Sequence, residues 1–266
     1  RPPRSTLFPY TTLFRSHAST SAITMYLPSV AGPLLEREYQ AITGAMSHPK
    51  RPLLALMGGS KVSDKIPIIN RLIRVADQII IGGAMANTFL AHRGHNVGAS
   101  KVEPDQTAVI DDIYDLVHKK VGAEMADNFL VLPSDVAVGA HVDETARRRT
   151  VPVTQIPEGN YALDIGDASI ERVVAAIDRS QTIIWNGTLG MTEFPHFAHG
   201  SARAALALAE HPEKESIIGG GDTAGFVIQW DSRHGESFSH VSTGGGASLE
   251  LMAGQKLPGI EALLDA

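Results

Sequence analysis

The chain has 266 residues, 43% of them hydrophobic and 20% charged, enough apolar content for one large core or two small ones. Lys and Arg number 23 against 29 Asp and Glu, a formal net charge of −6, which argues against a general polyanion binder and so against nucleic acid as a partner. The absence of cysteine excludes disulfides, thiolate metal sites and thiol nucleophiles, and no run reaches the roughly 20 apolar residues of a membrane span, so the expected setting is cytoplasmic, away from membranes.

Residues 6–16 read Thr-Leu-Phe-Pro-Tyr-Thr-Thr-Leu-Phe-Arg-Ser and resemble the conceptual translation of a sequencing-adapter oligonucleotide. Segment 1–16 is therefore set apart as an artefact, and the genuine product is expected to begin abruptly near His17 with its N-terminal part lost. Apolar residues Leu27, Val30, Leu34, Leu35, Tyr39 and Ile42 recur at helical spacing and predict a helix over 24–46, with Pro28 and Pro33 tolerable only near its start. From Pro52 the pattern alternates. Strands are predicted at 53–57, 78–81, 128–132, 150–154, 161–163, 182–185, 215–218 and 239–242. Helices are predicted at 62–75, 84–92, 105–121, 168–178, 201–210, from 224 onward, and at 247–252. This alternation predicts an α/β fold: a doubly wound, mostly parallel sheet with helices on both faces, in three Rossmann-like layers, plus a leading helix.

Nearly every predicted strand ends in a glycine or polar cluster: Gly58-Gly59-Ser60-Lys61, Gly82-Gly83, Asn186-Gly187-Thr188, Gly219-Gly220-Gly221-Asp222-Thr223 and Thr243-Gly244-Gly245-Gly246. In a parallel sheet such ends line one cleft, where ligands collect. In Ile217–Thr223 the glycines let a ligand approach the backbone, Asp222 or Thr223 can cap the next helix, and the free amides of that helix suit phosphate. Asp222 makes sense beside phosphate if Mg²⁺ lies between them. Lys61 and Lys65 are four apart; on one helix face they repel each other unless an anion compensates. No Gly-x₄-Gly-Lys-Ser/Thr occurs; Gly219 to Ala224 satisfies the dinucleotide fingerprint, but Asp222 would face a pyrophosphate. The eleven histidines show no metal-ligand spacing, and Trp185 reads as sheet core.

Together, Gly-Gly-Ser-Lys-Val-Ser-Asp-Lys at 58–65, Trp185-Asn186-Gly187-Thr188-Leu189-Gly190, Gly-Gly-Gly-Asp-Thr at 219–223 and Ser242-Thr243-Gly244-Gly245-Gly246-Ala247 resemble the phosphoglycerate kinase family, and Pro133-Ser134-Asp135 and Leu163-Asp164-Ile165-Gly166 agree. The resemblance implies phosphoryl transfer between 1,3-bisphosphoglycerate and ADP, giving 3-phosphoglycerate and ATP with Mg²⁺. It implies a monomer of two α/β domains, of which this chain resembles the C-terminal, nucleotide-binding one: 17–49 as a remnant of the other domain with the joining helix, and 50–266 as the nucleotide domain. Under the resemblance Lys65 and Lys61 face the phosphates and the transferring group. Asp222 holds the metal, Gly220, Gly221 and Thr223 form the phosphate cradle, and Glu193 holds the ribose. Gly83 and Gly166 flank adenine, Gly59, Ser60 and Gly187 complete the nucleotide set, and Gly244 and Gly245 lie near the moving phosphoryl. Thr188 stands where the family usually has proline, and Met191-Thr192-Glu193 replaces Val-Phe-Glu. His17-Ala18-Ser19-Thr20 matches the end of the glycerate-binding domain; Arg15 fills an arginine slot there but belongs to the adapter-like stretch. The expected molecule binds Mg-ADP or Mg-ATP, lacks the glycerate site and is inactive alone. The alternatives are a stand-alone nucleotide-binding module and a nicotinamide-dependent oxidoreductase.

Overall fold

A computed structural model describes residues 21–264. The adapter-like segment 1–16 and the His17–Thr20 motif lie outside the described residues. In chain order the strands are β1 (Leu53–Met57), β2 (Gln78–Ile81), β3 (Leu130–Val131), β4 (Asp135–Gly139), β5 (Arg149–Pro152), β6 (Tyr161–Ile165), β7 (Thr182–Asn186), β8 (Glu215–Gly219) and β9 (His240–Val241). The helices are α1 (Pro33–Ser47), α2 (Ile66–Val75), α3 (Gly83–His92), α4 (Thr107–Val121), α5 (Ala126–Phe129), α6 (Asp167–Arg179), α7 (His199–Ala209), α8 (Gly221–Trp230), α9 (Gly246–Met252) and α10 (Pro258–Leu264).

Six strands form one parallel sheet in the order β3-β2-β1-β7-β8-β9. The chain steps outward from β1 in one direction and, after β7, in the other, so the order reverses between β1 and β7. Side chains alternate across this sheet. Leu53, Ala55 and Met57 join a core with Ile42 of α1, Ile69 of α2, Phe89 of α3 and Ile113 of α4. Leu54 and Leu56 face the opposite core with Val173 of α6, Ala204 of α7 and Val227 of α8. Two buried faces explain the unbroken apolar runs of the central strands, and the expected three-layer, mostly parallel α/β architecture is observed.

Four expectations are corrected. The helix at 24–46 is a 3-10 turn at Ala22–Met25 and then α1, which opens on Pro33; a proline fits the first turn, where its missing N–H is no loss. Residues 128–132 supply only the two-residue β3, because α5 takes Ala126 to Phe129 first. The Pro133-Ser134-Asp135 turn leads into β4, which pairs antiparallel with β5 and β6 in a separate three-stranded sheet, so the fold is not one continuous parallel sheet. Finally, α2 opens at Ile66 with Pro67 in its first turn, preceded by a 3-10 turn at Ser63–Lys65, so Lys61 and Lys65 do not share an α-helical face.

The second half of α1 is part of the core through Ile42, Ala45 and Met46. Ahead of it the chain exposes Met25, Tyr26, Leu27, Val30 and Leu34, each more than half accessible.

Candidate functional site

The ends of β1 and β7 meet where the strand order reverses, with Met57 opposite Asn186. Gly58 N–H donates to the Asn186 carbonyl at 2.9 Å and Gly59 N–H to the Thr188 carbonyl at 3.0 Å. Gly187 has φ +94°, and a Cβ there would overlap the Gly58 carbonyl, so the crossing admits only glycine. The end of β2 is tied in by Gly83 N–H, which donates to the Leu189 carbonyl at 2.9 Å. The end of β8 is tied in by Thr223, whose Oγ1 accepts from Gly187 N–H at 2.7 Å. Trp185 is fully buried and donates Nε1–H to the Gly187 carbonyl at 2.9 Å, so it belongs to the core, as its sequence context suggests.

A cleft of about 470 Å³ opens over these ends, within the size range of small-ligand sites. Gly59, Ser60, Gly83, Thr188, Glu193 and Asp222 line it, with an apolar wall of Tyr161, Leu163 and Met191. Lys65 is half-buried beside Gly59, one of the lining residues: a Cβ on Gly59 would stand 3.6 Å from its ammonium. Its ammonium donates to the Asn186 carbonyl at 3.1 Å and to Asn186 Oδ1. Burial brings the Lys65 pKa down to about 8, against the opposing pull of the Asp222 and Asp64 carboxylates. A cation at that depth, only partly neutralised, is a ready partner for an anion.

Asn186 is a site residue that the sequence reading left out of its assignments. It is 1% exposed, and its Nδ2 has no partner among the described residues. That amide lies under the glycine turn that opens α8: a Cβ on Gly220 would come within 3.2 Å of it. The signal was present in Thr-Ile-Ile-Trp-Asn, an apolar strand ending on a buried amide. Gly220 is itself the residue preceding α8, and no side chain caps that helix end. Asp222 and Thr223 therefore sit inside the first turn rather than capping it. Gly221 is exposed with open space around it. The amides at this end, the Lys65 ammonium and the orphaned Asn186 amide converge as donors for an anion.

Four expected residues fall outside this arrangement. Gly166 packs on the Asp135 carboxylate ahead of α6 and is not among the residues lining the cleft. Gly244 sits against Glu38 and Ser248 in a second groove, between α1 and the end of β9, and Gly245 follows it into α9. Lys61 is exposed and its charge acts on Glu103.

Among the described residues no group of three or more His, Cys, Asp or Glu could hold a metal unaided. The donor set at the cleft fits Mg²⁺ held jointly: Asp222 supplies one carboxylate, and Mg²⁺ ordinarily takes its other oxygens from substrate phosphates and water. No described helix is long and apolar enough to cross a membrane.

These features define a doubly wound α/β protein with a ligand cleft at the topological switch point. The phosphoglycerate kinase family profile matches residues 9–255, and the chain belongs to that family. A phosphoglycerate kinase from Roseiflexus castenholzii is 43% identical over 252 residues, covering 95% of this chain and 62% of the relative. The chloroplastic phosphoglycerate kinase of Volvox carteri is 46% identical over 255 residues, covering 95% of this chain and 54% of the relative. The solved phosphoglycerate kinase of Coxiella burnetii superposes with a TM-score of 0.84 at 34% identity, covering 93% of this chain and 62% of that one. The chain thus spans about 62% of the length of the bacterial relatives it matches.

Proposed function

We propose that this chain is the nucleotide-binding part of a cytoplasmic phosphoglycerate kinase. It holds ADP or ATP with Mg²⁺ for phosphoryl transfer between 1,3-bisphosphoglycerate and ADP. The observation that carries this reading is Lys65, pinned on Asn186 beside Gly59, which lines the cleft together with Asp222. Phosphoryl transfer asks the protein for in-line positioning and for positive charge on the phosphate oxygens rather than for covalent chemistry. Lys65, the Asn186 amide and the first amides of α8 supply that charge and those donors at one end of the cleft. At the other end the apolar wall of Tyr161, Leu163 and Met191 suits a flat base, and Glu193 offers a carboxylate to ribose hydroxyls. Asp222 would hold Mg²⁺, which would supply charge to neutralise the phosphates.

The glycerate substrate is assigned to a separate domain that is the chain's partner. The exposed apolar run from Met25 to Leu34 supports this, since a patch of that kind marks an interface. Accordingly the chain by itself binds nucleotide as a monomer and transfers no phosphoryl group. Calorimetry with ADP, with and without Mg²⁺, and with NAD as a control, tests the reading. Binding of ADP strengthened by Mg²⁺, and lost on Asp222→Asn only in its Mg²⁺-dependent part, is the expected result. Heat with NAD and none with ADP on folded protein sinks it. A coupled assay showing turnover at ordinary kinase rates refutes the inactivity of the chain alone.

A further inference from the structure

The 3-10 turn Ser63–Lys65, which ends on Lys65, has no side-chain cap of its own at Val62. Its support comes from forty residues further on. Glu103 Oε2 accepts from the Val62 and Ser63 amides at 2.6 and 3.2 Å, and its Oε1 accepts from the Ser63 hydroxyl. These bonds hold the Glu103 carboxyl below its ordinary range although burial opposes them, and the Lys61 charge adds to the effect. Glu103 is fixed in turn, because its own amide donates to Thr88 Oγ1 at 3.1 Å, and Thr88 is buried in α3. The same segment lines the cleft through Ala99 and Lys101. Residues 99–103 therefore form part of the cleft wall and, at their end, grip the turn that presents Lys65.

We propose that Glu103 is a positioning residue for the phosphate end of the site: by clamping the Val62–Ser63 amides it fixes the turn from which Lys65 reaches Asn186. The carboxylate occupies the turn's amides, so the turn meets the ligand through Lys65. This rests on the nucleotide reading above, but makes a narrower claim. Loss of Glu103 should weaken only what Lys65 touches, the phosphates, and leave the base end alone.

The test is equilibrium binding of Mg-ADP and of adenosine to the wild-type chain and to Glu103→Gln. The glutamine is isosteric but uncharged, and only one of its two terminal atoms can accept a hydrogen bond. The expected outcome is about tenfold weaker ADP binding with adenosine within about twofold of wild type, since hydrogen bonds to a charged group are the stronger kind. Should Glu103→Gln not fold, Ser63→Ala removes one of the three donors, and about threefold weaker ADP binding at unchanged adenosine affinity is expected. Equal ADP affinity in variant and wild type overturns the inference and leaves the nucleotide reading standing. So does a parallel loss of ADP and adenosine, which would show a collapse of the whole cleft. A wild-type chain that binds neither ligand removes the nucleotide reading and this inference with it.

Discussion

Glu38 and His240, 202 positions apart in the chain, form an ion pair with 2.8 Å between Oε2 and Nε2. The other carboxylate oxygen of Glu38 accepts from the hydroxyls of Ser242 and Ser248, the latter at 2.8 Å. The pair thus joins α1 to the segment that carries Gly244 and Gly245. Burial tends to raise the Glu38 pKa, but the bonds from His240, Ser242 and Ser248 and the His240 charge outweigh it and bring the group down to about 2. A carboxyl depressed in the fold stabilises it above its unfolded pKa, and that contribution is lost as pH falls from about 4.5 towards 2. Glu38→Gln should therefore lower stability near neutrality by about 2 kcal/mol, and the difference from wild type should shrink towards about pH 3. Urea unfolding at the two pH values measures it; identical midpoints at neutral pH would show that the pair contributes nothing.

Lys65 gives a pH signature in binding as well as in stability. Its pKa of about 8 in the ligand-free protein must rise when phosphate approaches, because an anion favours the charged ammonium. Nucleotide binding then takes up a proton, and affinity falls as pH climbs through about 8, by up to about tenfold per pH unit. The same depression means that the ligand-free fold gains stability as pH rises from about 8 towards 10.5, where the unfolded chain still holds the proton. Calorimetry of ADP binding in two buffers of different ionisation enthalpy reads the proton directly. Affinity that stays flat between about pH 7 and 9.5 would mean that Lys65 does not meet the phosphates.

How far the sequence disclosed this site depends on the range of the interactions involved. The glycine-rich ends of β1, β2, β7 and β8 were legible because each is a local break in a local apolar run, and the parallel sheet places the four together. Strand β4 was missed because Pro133 reads as a stop, whereas in the fold it is a corner into a second sheet with antiparallel order. The Lys61 and Lys65 relationship was misread because the spacing of four was given more weight than Pro67, whose position in a first turn fixes the helix start after both lysines. Histidine spacing gave no hint of His240, whose partner Glu38 is distant in sequence, and nothing local marks Glu103 as the clamp on residues 62 and 63. Contacts of that separation are set by the fold, not by neighbouring residue types. The Thr188 departure from the family's proline is accommodated for a simple reason: the position serves the crossing through its backbone carbonyl, which any residue supplies.

Two glycines of the site should respond to alanine in opposite ways. Gly187 has a positive φ and no room for a Cβ against the Gly58 carbonyl, so Gly187→Ala must push β1 and β7 apart or distort both turns. A loss of about 3 kcal/mol or more is expected, with nucleotide binding falling alongside stability. Gly221 opens α8 with ordinary backbone angles and nothing near a Cβ. There alanine restricts the unfolded chain and suits the helix, so Gly221→Ala should raise stability by up to about 1 kcal/mol. Its methyl group, however, would stand over the first amides of α8, where the phosphates are proposed to lie, and ADP affinity should drop while adenosine affinity holds. Denaturant midpoints and ADP titrations on the two variants separate the effects. A Gly221→Ala protein that is more stable and binds ADP as well as wild type would place the phosphates somewhere other than the start of α8.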